Sequence, residues 1–83
     1  MSYAVLLERQ AESDLRKLPK RVLQRVDARL LALSDEPWPR GSLKLKGKEG
    51  EGRRIRIGDY RILYTVDTKQ KAIRVYRISH RRE

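Results

Sequence analysis

The segment from Gly52 to Tyr64, Gly-Arg-Arg-Ile-Arg-Ile-Gly-Asp-Tyr-Arg-Ile-Leu-Tyr, constrains the fold more than any other part of the chain. It predicts two β-strands, at 53–57 and 60–67, joined by a tight Gly-Asp turn. Because side chains alternate between the two faces of a strand, the isoleucines of the first strand share one face and its arginines the other. The hairpin therefore offers one apolar face to a core and one face of guanidinium groups, which suits the binding of phosphate.

The residues before this hairpin predict one strand and two helices. An apolar run at 3–7 indicates an opening strand, and from Arg9 apolar residues recur at spacings of three and four, as on one face of a helix. Pro19 ends that pattern because it cannot donate a backbone hydrogen bond. A second helix is predicted from about Lys20 to Ser34. Its apolar face has four members, and two further leucines widen it: Val22, Val26, Leu30 and Leu33, with Leu23 and Leu31.

The order of these elements predicts an α+β fold. A loop at 35–41 and a basic, glycine-interrupted segment at 42–52 lead into strands at 53–57, 60–67 and 72–78, and the last strand keeps the alternation. In the resulting order β-αα-βββ, the N-terminal strand and an αα-hairpin pack on one face of a mostly antiparallel sheet. The other face, toward which the arginines point, is left free.

Length and composition limit the class of protein. The 83 residues fit a single domain, 1–83, with a modest core. The chain has no cysteine, which suits a reducing compartment, and no apolar run approaches the roughly 18 residues of a membrane span. We therefore expect a cytosolic protein.

The positive charge of the chain is concentrated in its second half. Residues 1–39 hold seven Lys or Arg against six Asp or Glu, a net of +1, and residues 40–83 hold fourteen against five, a net of +9. A polyanionic partner that faces the second half explains this asymmetry. A basic surface without a partner is the alternative that charge alone leaves open.

The sequence argues against several kinds of catalytic site. With one histidine and no cysteine it cannot assemble the usual metal ligands, and we predict no metal and no cofactor. Its serines lack the context of an activated nucleophile, and the glycines at 47–52 do not complete a phosphate-binding loop.

What remains is a set of basic residues on the predicted strands and at the C-terminal end: Lys46, Lys48, Arg54, Arg56, Arg61, His80, Arg81 and Arg82. Arginine predominates among them, and its planar fork grips phosphate at two points. Tyr60, Tyr64 and Tyr76 lie between the arginines and could stack on nucleobases, although packing within the strands is the favoured role for at least Tyr64. A solvated strand face is the simpler explanation of the same pattern.

Taken together, these features resemble the RelE family of the RelE/ParE superfamily of bacterial and archaeal toxin–antitoxin systems. The resemblance rests on the order β-αα-βββ, Leu-Lys-Gly at 45–47, the run at 54–64 and His-Arg-Arg at 80–82, and it extends over essentially the whole chain. It implies a small ribosome-dependent endonuclease that cuts mRNA in the decoding site. It also implies a RelB-like antitoxin that wraps the toxin and covers its basic face.

The resemblance also implies site residues. Arg61, in Gly-Asp-Tyr-Arg, matches the active-site arginine of the middle strand, and Arg81, or alternatively Arg82, matches the arginine at the end of the last strand. Arg54 and Arg56 stand where some relatives have lysines with a catalytic role. Five further residues are assigned to RNA binding: Lys44, Lys46, Lys48, Tyr60 and Arg82.

One feature of the family is missing. Many members carry a tyrosine a few residues after the His-Arg-Arg segment, and this sequence has none. Either the sequence is part of a longer chain, or another group serves instead, or the member is attenuated.

The implied chemistry is attack of a ribose 2′-OH on the adjacent phosphorus, with Arg61 and Arg81 clamping the phosphate. Arginine does not deprotonate in proteins, so the general base must be another group. The candidates are four residues: His80, Lys46, Lys48 and Glu83.

Two other functions remain open. A ParE-like inhibitor of DNA gyrase would share the fold without the nuclease activity. A module that binds RNA only by charge would show a steep salt dependence and no cleaved product.

Overall fold

The computed structural model describes residues 2–45 and 52–82 of the chain. Two helices and five strands make up this part: β1 Ala4–Leu7, α1 Arg9–Arg16, α2 Lys20–Asp35, β2 Leu43–Lys44, β3 Arg53–Ile57, β4 Tyr60–Asp67 and β5 Ala72–His80. The predicted α+β fold is confirmed, with the difference that the N-terminal strand β1 lies within the sheet, paired with β5, and not on its face. None of the helices within the described ranges is long and apolar enough to cross a membrane.

The five strands form one sheet in the order β1-β5-β4-β3-β2. β1 runs parallel to β5, and the other neighbours are antiparallel, so the sheet is mostly antiparallel as predicted. β4 and β5, at the centre, carry the fully buried Tyr64, Ile62, Ile73 and Val75. The core therefore lies on the face of the sheet that α1 and α2 cover.

The β3–β4 hairpin has the predicted bounds. Ile57 is paired with Tyr60 across the Gly58-Asp59 turn, and Gly58 has a φ of 58°. A positive φ at the first central residue of a two-residue turn matches a type II′ turn, which glycine adopts without a steric penalty. The turn fixes the register, and the register places Ile55 and Ile62 opposite each other in the core.

Helix α2 buries most of its predicted apolar face. Val26, Leu30 and Leu33 are buried, and Val22 packs at the border of the core. The prediction for Leu31 is wrong, since its side chain is 74% exposed. A helix turns by about 100° per residue, which carries Leu31 away from the stripe that contains Leu30.

Strand β5 departs from the predicted alternation. A β-bulge lies where Leu63 is paired with Arg77 and Tyr64 with Val75, so that Tyr76 is the extra residue. The residues that β5 contributes to the core cluster are consequently Ile73, Val75 and Ile78, with a step of three after Val75. The bulge also carries the strand on to His80.

The structure adds a short strand that the sequence did not predict. In β2, Leu43 is paired with Arg54 and Lys44 with Arg53, within the segment interpreted as an irregular basic linker. Two residues are too few to show a period of two, and this explains why the pattern analysis missed β2.

Helix α1 contacts the edge of β5 at the residues that lie beyond the end of β1. The carboxylate of Asp14 accepts hydrogen bonds from the Ile78 backbone N–H (2.9 Å), Arg77 Nε (3.1 Å) and Gln10 Nε2 (2.8 Å). A side chain of α1 thus satisfies a strand amide that β1, which ends at Leu7, does not reach. This contact fixes the last residues of β5, where the sequence places several candidate site residues.

Candidate functional site

Two of the candidate arginines lie directly opposite each other on the open face of the sheet, the face away from the helices. Arg56 of β3 is the cross-strand partner of Arg61 of β4, and both alternate with buried isoleucines. Directly opposite side chains have Cβ atoms about 4.5–5.5 Å apart, and like charges there are destabilising. The arrangement becomes favourable once an anion lies between the two guanidinium groups.

The neighbouring position on this face holds Arg54, which is half-buried and opposite Leu63. The open face therefore presents three arginines from two adjacent strands, in two successive rows of the sheet. The β3–β4 hairpin brings together Arg54, Arg56 and Arg61 as the alternation predicted.

Arg61 also contacts the C-terminal end of the chain. Its Nη2 donates a hydrogen bond of 3.0 Å to the backbone oxygen of Arg81. The Arg81 backbone N–H donates to the backbone oxygen of Asp59 (2.7 Å), and the Arg81 Nε lies 3.6 Å from the Asp59 carboxylate. Arg61 is thus in contact with the backbone of Arg81, which is 20 residues away in sequence.

The ion pair between Arg81 and Asp59 is exposed, at 59% and 60% of the side-chain surface. Exposed pairs of this kind contribute little to stability and are readily exchanged. A phosphate can therefore replace the Asp59 carboxylate at Arg81 without loss of a buried interaction. Asp59 was not identified from the sequence, where it reads only as a turn residue.

Tyr60 and His80 lie on the other face of the sheet. They are cross-strand partners, with ring centroids 5.0 Å apart and planes at 89°. Together with Asp14, Lys17 and other residues of the α1 side they line a cleft of about 210 Å3. The structure therefore does not bring His80 to the face that carries Arg61.

His80 nevertheless contacts the C-terminal turn. Its Nδ1 accepts a hydrogen bond of 3.2 Å from the Arg82 backbone N–H, which requires that this nitrogen carry no proton. Arg81 and Arg82 are both exposed. The His80 ring thus contacts the backbone of Arg82, next to Arg81, although it lies on the opposite face of the sheet from Arg61.

The remaining candidates are scattered. Lys44 is exposed on β2 and is paired with Arg53, not with Arg54. Lys46, Lys48 and Glu83 lie outside the described residues.

Two tyrosines of the sheet have raised pKa values. Burial raises the pKa of the Tyr64 phenol, an effect opposed by its hydrogen bond to Ser42 and by the nearby charge of Arg53. Burial and the charge of Glu8 raise the pKa of Tyr76. Neither phenol therefore ionises near neutral pH.

Helix α2 also carries a row of arginines, which the apolar pattern of the helices does not indicate. Arg21, Arg25 and Arg29 follow one another at a spacing of four. That spacing places side chains on one side of a helix and was visible in the sequence.

Comparison with known proteins identifies the family. The sequence profile described as the ParE toxin of the type II toxin–antitoxin system parDE matches residues 5–83. The chain belongs to this toxin family. None of the curated proteins compared matches the chain.

Two solved toxin–antitoxin complexes contain chains that are similar to this one. A chain of the archaeal RelE–RelB complex from Pyrococcus horikoshii is 34% identical, with a TM-score of 0.86 over 98% of this toxin and 97% of that chain. A chain of the RelBE2 toxin–antitoxin complex from Mycobacterium tuberculosis is 32% identical, with a TM-score of 0.84 over 96% and 99%. The resemblance to RelE is thereby confirmed.

The fold itself extends to more distant toxins. A YoeB/ParE toxin from Agrobacterium tumefaciens is 14% identical, with a TM-score of 0.79 over 93% of this toxin and 96% of that chain. Similarity at this level of identity shows the shared fold and carries no information on the cellular target.

Proposed function

We propose that this toxin is a ribosome-dependent endoribonuclease that cuts mRNA in the decoding site. The observation that carries the proposal is the opposition of Arg56 and Arg61 on the open face, with Arg81 held beside Arg61. The guanidinium groups of Arg56 and Arg61 on the open face, with Arg81 beside Arg61 at the end of β5, offer a clamp for a phosphodiester. Cleavage on the ribosome places the protein in the cytoplasm.

The reaction needs little from the protein beyond alignment and charge stabilisation. The ribose 2′-oxygen forms a bond to phosphorus while the bond from phosphorus to the 5′-oxygen breaks. The 2′-OH proton goes to a base, and the departing 5′-oxygen takes up a proton, so that the products are a 2′,3′-cyclic phosphate and a 5′-OH. Arg61 and Arg81 stabilise the extra negative charge of the phosphorane between these states.

The proton transfers require a group other than these arginines, which stay charged. The one histidine of the sequence, His80, lies across the sheet from Arg61. We therefore propose that arginine clamping supplies most of the rate enhancement by the toxin, with proton transfer left to water or to ribosomal RNA.

A RelB-like antitoxin is the expected partner. Chains similar to this toxin occur in the RelE–RelB complex of Pyrococcus horikoshii and in the RelBE2 complex of Mycobacterium tuberculosis. An antitoxin that covers the open face would neutralise its arginines and block access of RNA.

Gyrase inhibition is a second candidate, since the family profile that matches residues 5–83 is that of the ParE toxin. It predicts loss of DNA supercoiling by gyrase in the presence of the toxin and no cut in mRNA. A supercoiling assay run with the same preparation separates the two functions.

The deciding experiment is primer extension on an mRNA held in a programmed ribosome, with a ribosome-free reaction beside it. We expect a cut only with ribosomes, and we expect Arg61→Ala to lower its rate by about 10²–10³, or roughly 2–4 kcal/mol of barrier. The matched control is Arg74→Ala, which removes an exposed arginine of the open face opposite Thr65, about 13 Å along the sheet from the Arg61 position. Equal cleavage by both variants would falsify the role of the clamp.

A further inference from the structure

A second basic site lies on the helix side of the sheet. Two adjoining cavities of about 290 Å3 and 340 Å3 separate helix α2 from the β3–β4 turn, and both are lined by Arg25, Ile57 and Gly58. We call them the α2–turn groove. The charged side chains that line it belong to four arginines and one aspartate: Arg21, Arg25, Arg29, Arg56 and Asp59.

The arginines of the groove lack acidic partners. In the described part of the chain no carboxylate forms an ion pair with Arg21, Arg25 or Arg29, and the carboxylate of Asp59 is paired with Arg81. The guanidinium of Arg25 lies against the turn, because a Cβ on Gly58 would be 3.4 Å from its Nη1. The cationic groups are thus presented to the groove without internal neutralisation.

This placement of charge opposes helix stability. The first turn of α2 contains Lys20 and Arg21 and no acidic residue, although the positive end of the helix dipole favours acids there. Like charges four residues apart on a helix, as in the series Arg21, Arg25 and Arg29, also repel one another. Both unfavourable terms are relieved when a polyanion binds, which points to a ligand and not to stability as the reason for these residues.

The groove has few apolar anchors for a protein helix. Docking of an amphipathic helix needs exposed apolar positions at intervals of one turn. The large apolar side chains that the described residues expose are Leu6, Leu31, Trp38 and Leu43, and none of them lines the groove. Ile57, at its floor, is only 5% exposed. The other apolar and aromatic residues that line it are Pro19, Val22, Ala28 and Tyr60, and Val22 packs against the core. The four arginines are therefore the main recognition element that the groove offers.

The groove is continuous with the open face around the edge of β3. Among the described residues, β2 is paired only with Arg53 and Arg54, so the rest of β3 has no neighbouring strand on that side. Arg56 lies opposite Arg61 on the open face, and it also lines the groove. One arginine thus joins the two basic surfaces.

We propose that the α2–turn groove binds the backbone phosphates of the RNA strand that leaves the open face, as a second phosphate site for the same substrate. This inference rests on the proposed function in one respect, namely that the bound strand is the RNA that the toxin cuts. The arginine clamp on the open face holds the phosphate to be cut, and the groove holds a flanking part of the strand. Recognition by phosphate alone carries no base specificity.

The test compares two double variants, each of which lacks two exposed positive charges of the wild type. The groove variant is Arg21→Gln with Arg25→Gln, and the control is Arg9→Gln with Lys69→Gln, residues that line neither cavity. Glutamine is close to arginine in helix propensity, and Lys69 is exposed in the β4–β5 turn, so both variants should fold. Binding of a fluorescein-labelled oligouridine is followed by anisotropy at roughly 50 to 200 mM salt.

For single-stranded RNA each phosphate contact contributes about 0.7 to the slope of log K against log salt. The groove variant should therefore show a slope shallower by about 1.4 than the wild type, and the control should keep the wild-type slope. The proposal is overturned if the two variants have equal slopes. It is also overturned if the groove variant loses affinity only for mRNA-free ribosomes, or only for polyglutamate, since ribosomal RNA or an acidic protein segment would then be the ligand.

This experiment is independent of cleavage. If the wild-type toxin does not cut mRNA on ribosomes but the groove variant has the shallower slope, the proposed function fails and the groove remains a phosphate site. If the wild type cuts mRNA but the variants have equal slopes, only the inference about the groove fails.

Discussion

On the helix-covered face of the sheet, buried polar groups have partners, whereas on the open face arginines stand opposite one another with few counter-charges. The hydroxyl of Tyr64, a fully buried residue, donates to the Pro37 backbone oxygen at 2.9 Å, and Asp14 accepts three hydrogen bonds. Among the described residues the exception is Arg53 Nε, which is buried without a hydrogen bond. On the open face, by contrast, Arg61 donates a hydrogen bond to the neutral backbone carbonyl of Arg81.

The difference separates residues that maintain the fold from residues that are available to a ligand. A buried polar group without a partner costs roughly 1–3 kcal/mol, so the packed face satisfies almost all of its groups internally. Solvent-exposed guanidinium groups do not carry that penalty, and an anion can therefore become their partner. Substitutions on the two faces should accordingly change different measured quantities.

The largest expected effect on stability comes from Ile62, the neighbour of Arg61 on β4. Ile62 is fully buried, and Ile62→Ala should lower the free energy of unfolding by about 2–5 kcal/mol through lost burial and the cavity left behind. Arg61→Ala, one residue earlier and on the opposite face, should change it by less than about 0.5 kcal/mol. Urea denaturation of both variants measures the contrast, and a comparable loss for Arg61→Ala would show that the open face also maintains the fold.

Much of this two-faced arrangement was predictable from the sequence, because the strands and the turn of the β3–β4 hairpin together determine its pairing register. Alternating arginine and isoleucine at 54–57, a two-residue Gly-Asp turn and the matching alternation after it determine which residues share a face. The bounds of β3 and β4 were therefore predicted correctly, as was the shared face of Arg56 and Arg61.

The rest depended on contacts between distant segments. The bulge in β5 carries His80 to the helix side, and only the pairing with β4 reveals the extra residue at Tyr76. The proximity of Arg61 and Arg81 depends on the backbone of Asp59, which the sequence shows only as part of a turn. The arginines of α2 were visible as a series, but their relation to the groove required the position of the helix against the β3–β4 turn.

A smaller effect on stability is expected from the hydroxyl of Tyr64. Tyr64→Phe should cost about 0.5–1.5 kcal/mol at neutral pH, because the Pro37 carbonyl then loses its hydrogen bond. Tyr60→Phe is the control, since its half-buried hydroxyl forms no hydrogen bond among the described residues, and it should be close to neutral. Equal losses of unfolding free energy in Tyr64→Phe and Tyr60→Phe would contradict the idea that only the buried hydroxyl stabilises the fold through its hydrogen bond.

The same pair of proteins, wild type and Tyr64→Phe, should respond differently to alkaline pH. Burial raises the folded-state pKa of Tyr64 above its ordinary value of 10.0, so the unfolded chain releases the proton first. The wild type should therefore lose stability as the pH rises from about 10 toward that raised pKa, and the variant should lack this contribution. The stability difference between them should narrow in that range. Tyr76 is present in both proteins, so its own raised pKa cancels from the comparison.

The smallest effect, and the one with the opposite sign, is expected at Arg56. Arg56→Thr removes one of two like charges directly opposite each other and introduces a residue with high strand propensity, so it should raise the free energy of unfolding by about 0.2–1 kcal/mol. Arg74→Thr removes an arginine of the same face that lies opposite Thr65 and should stay within about 0.5 kcal/mol of the wild type. Greater stability together with weaker RNA binding in Arg56→Thr alone would mean that the open face retains its arginines at the expense of stability. Destabilisation by Arg56→Thr would instead show that this arginine contributes to the stability of the fold. The contrast between the two faces would then hold for β4 but not for β3.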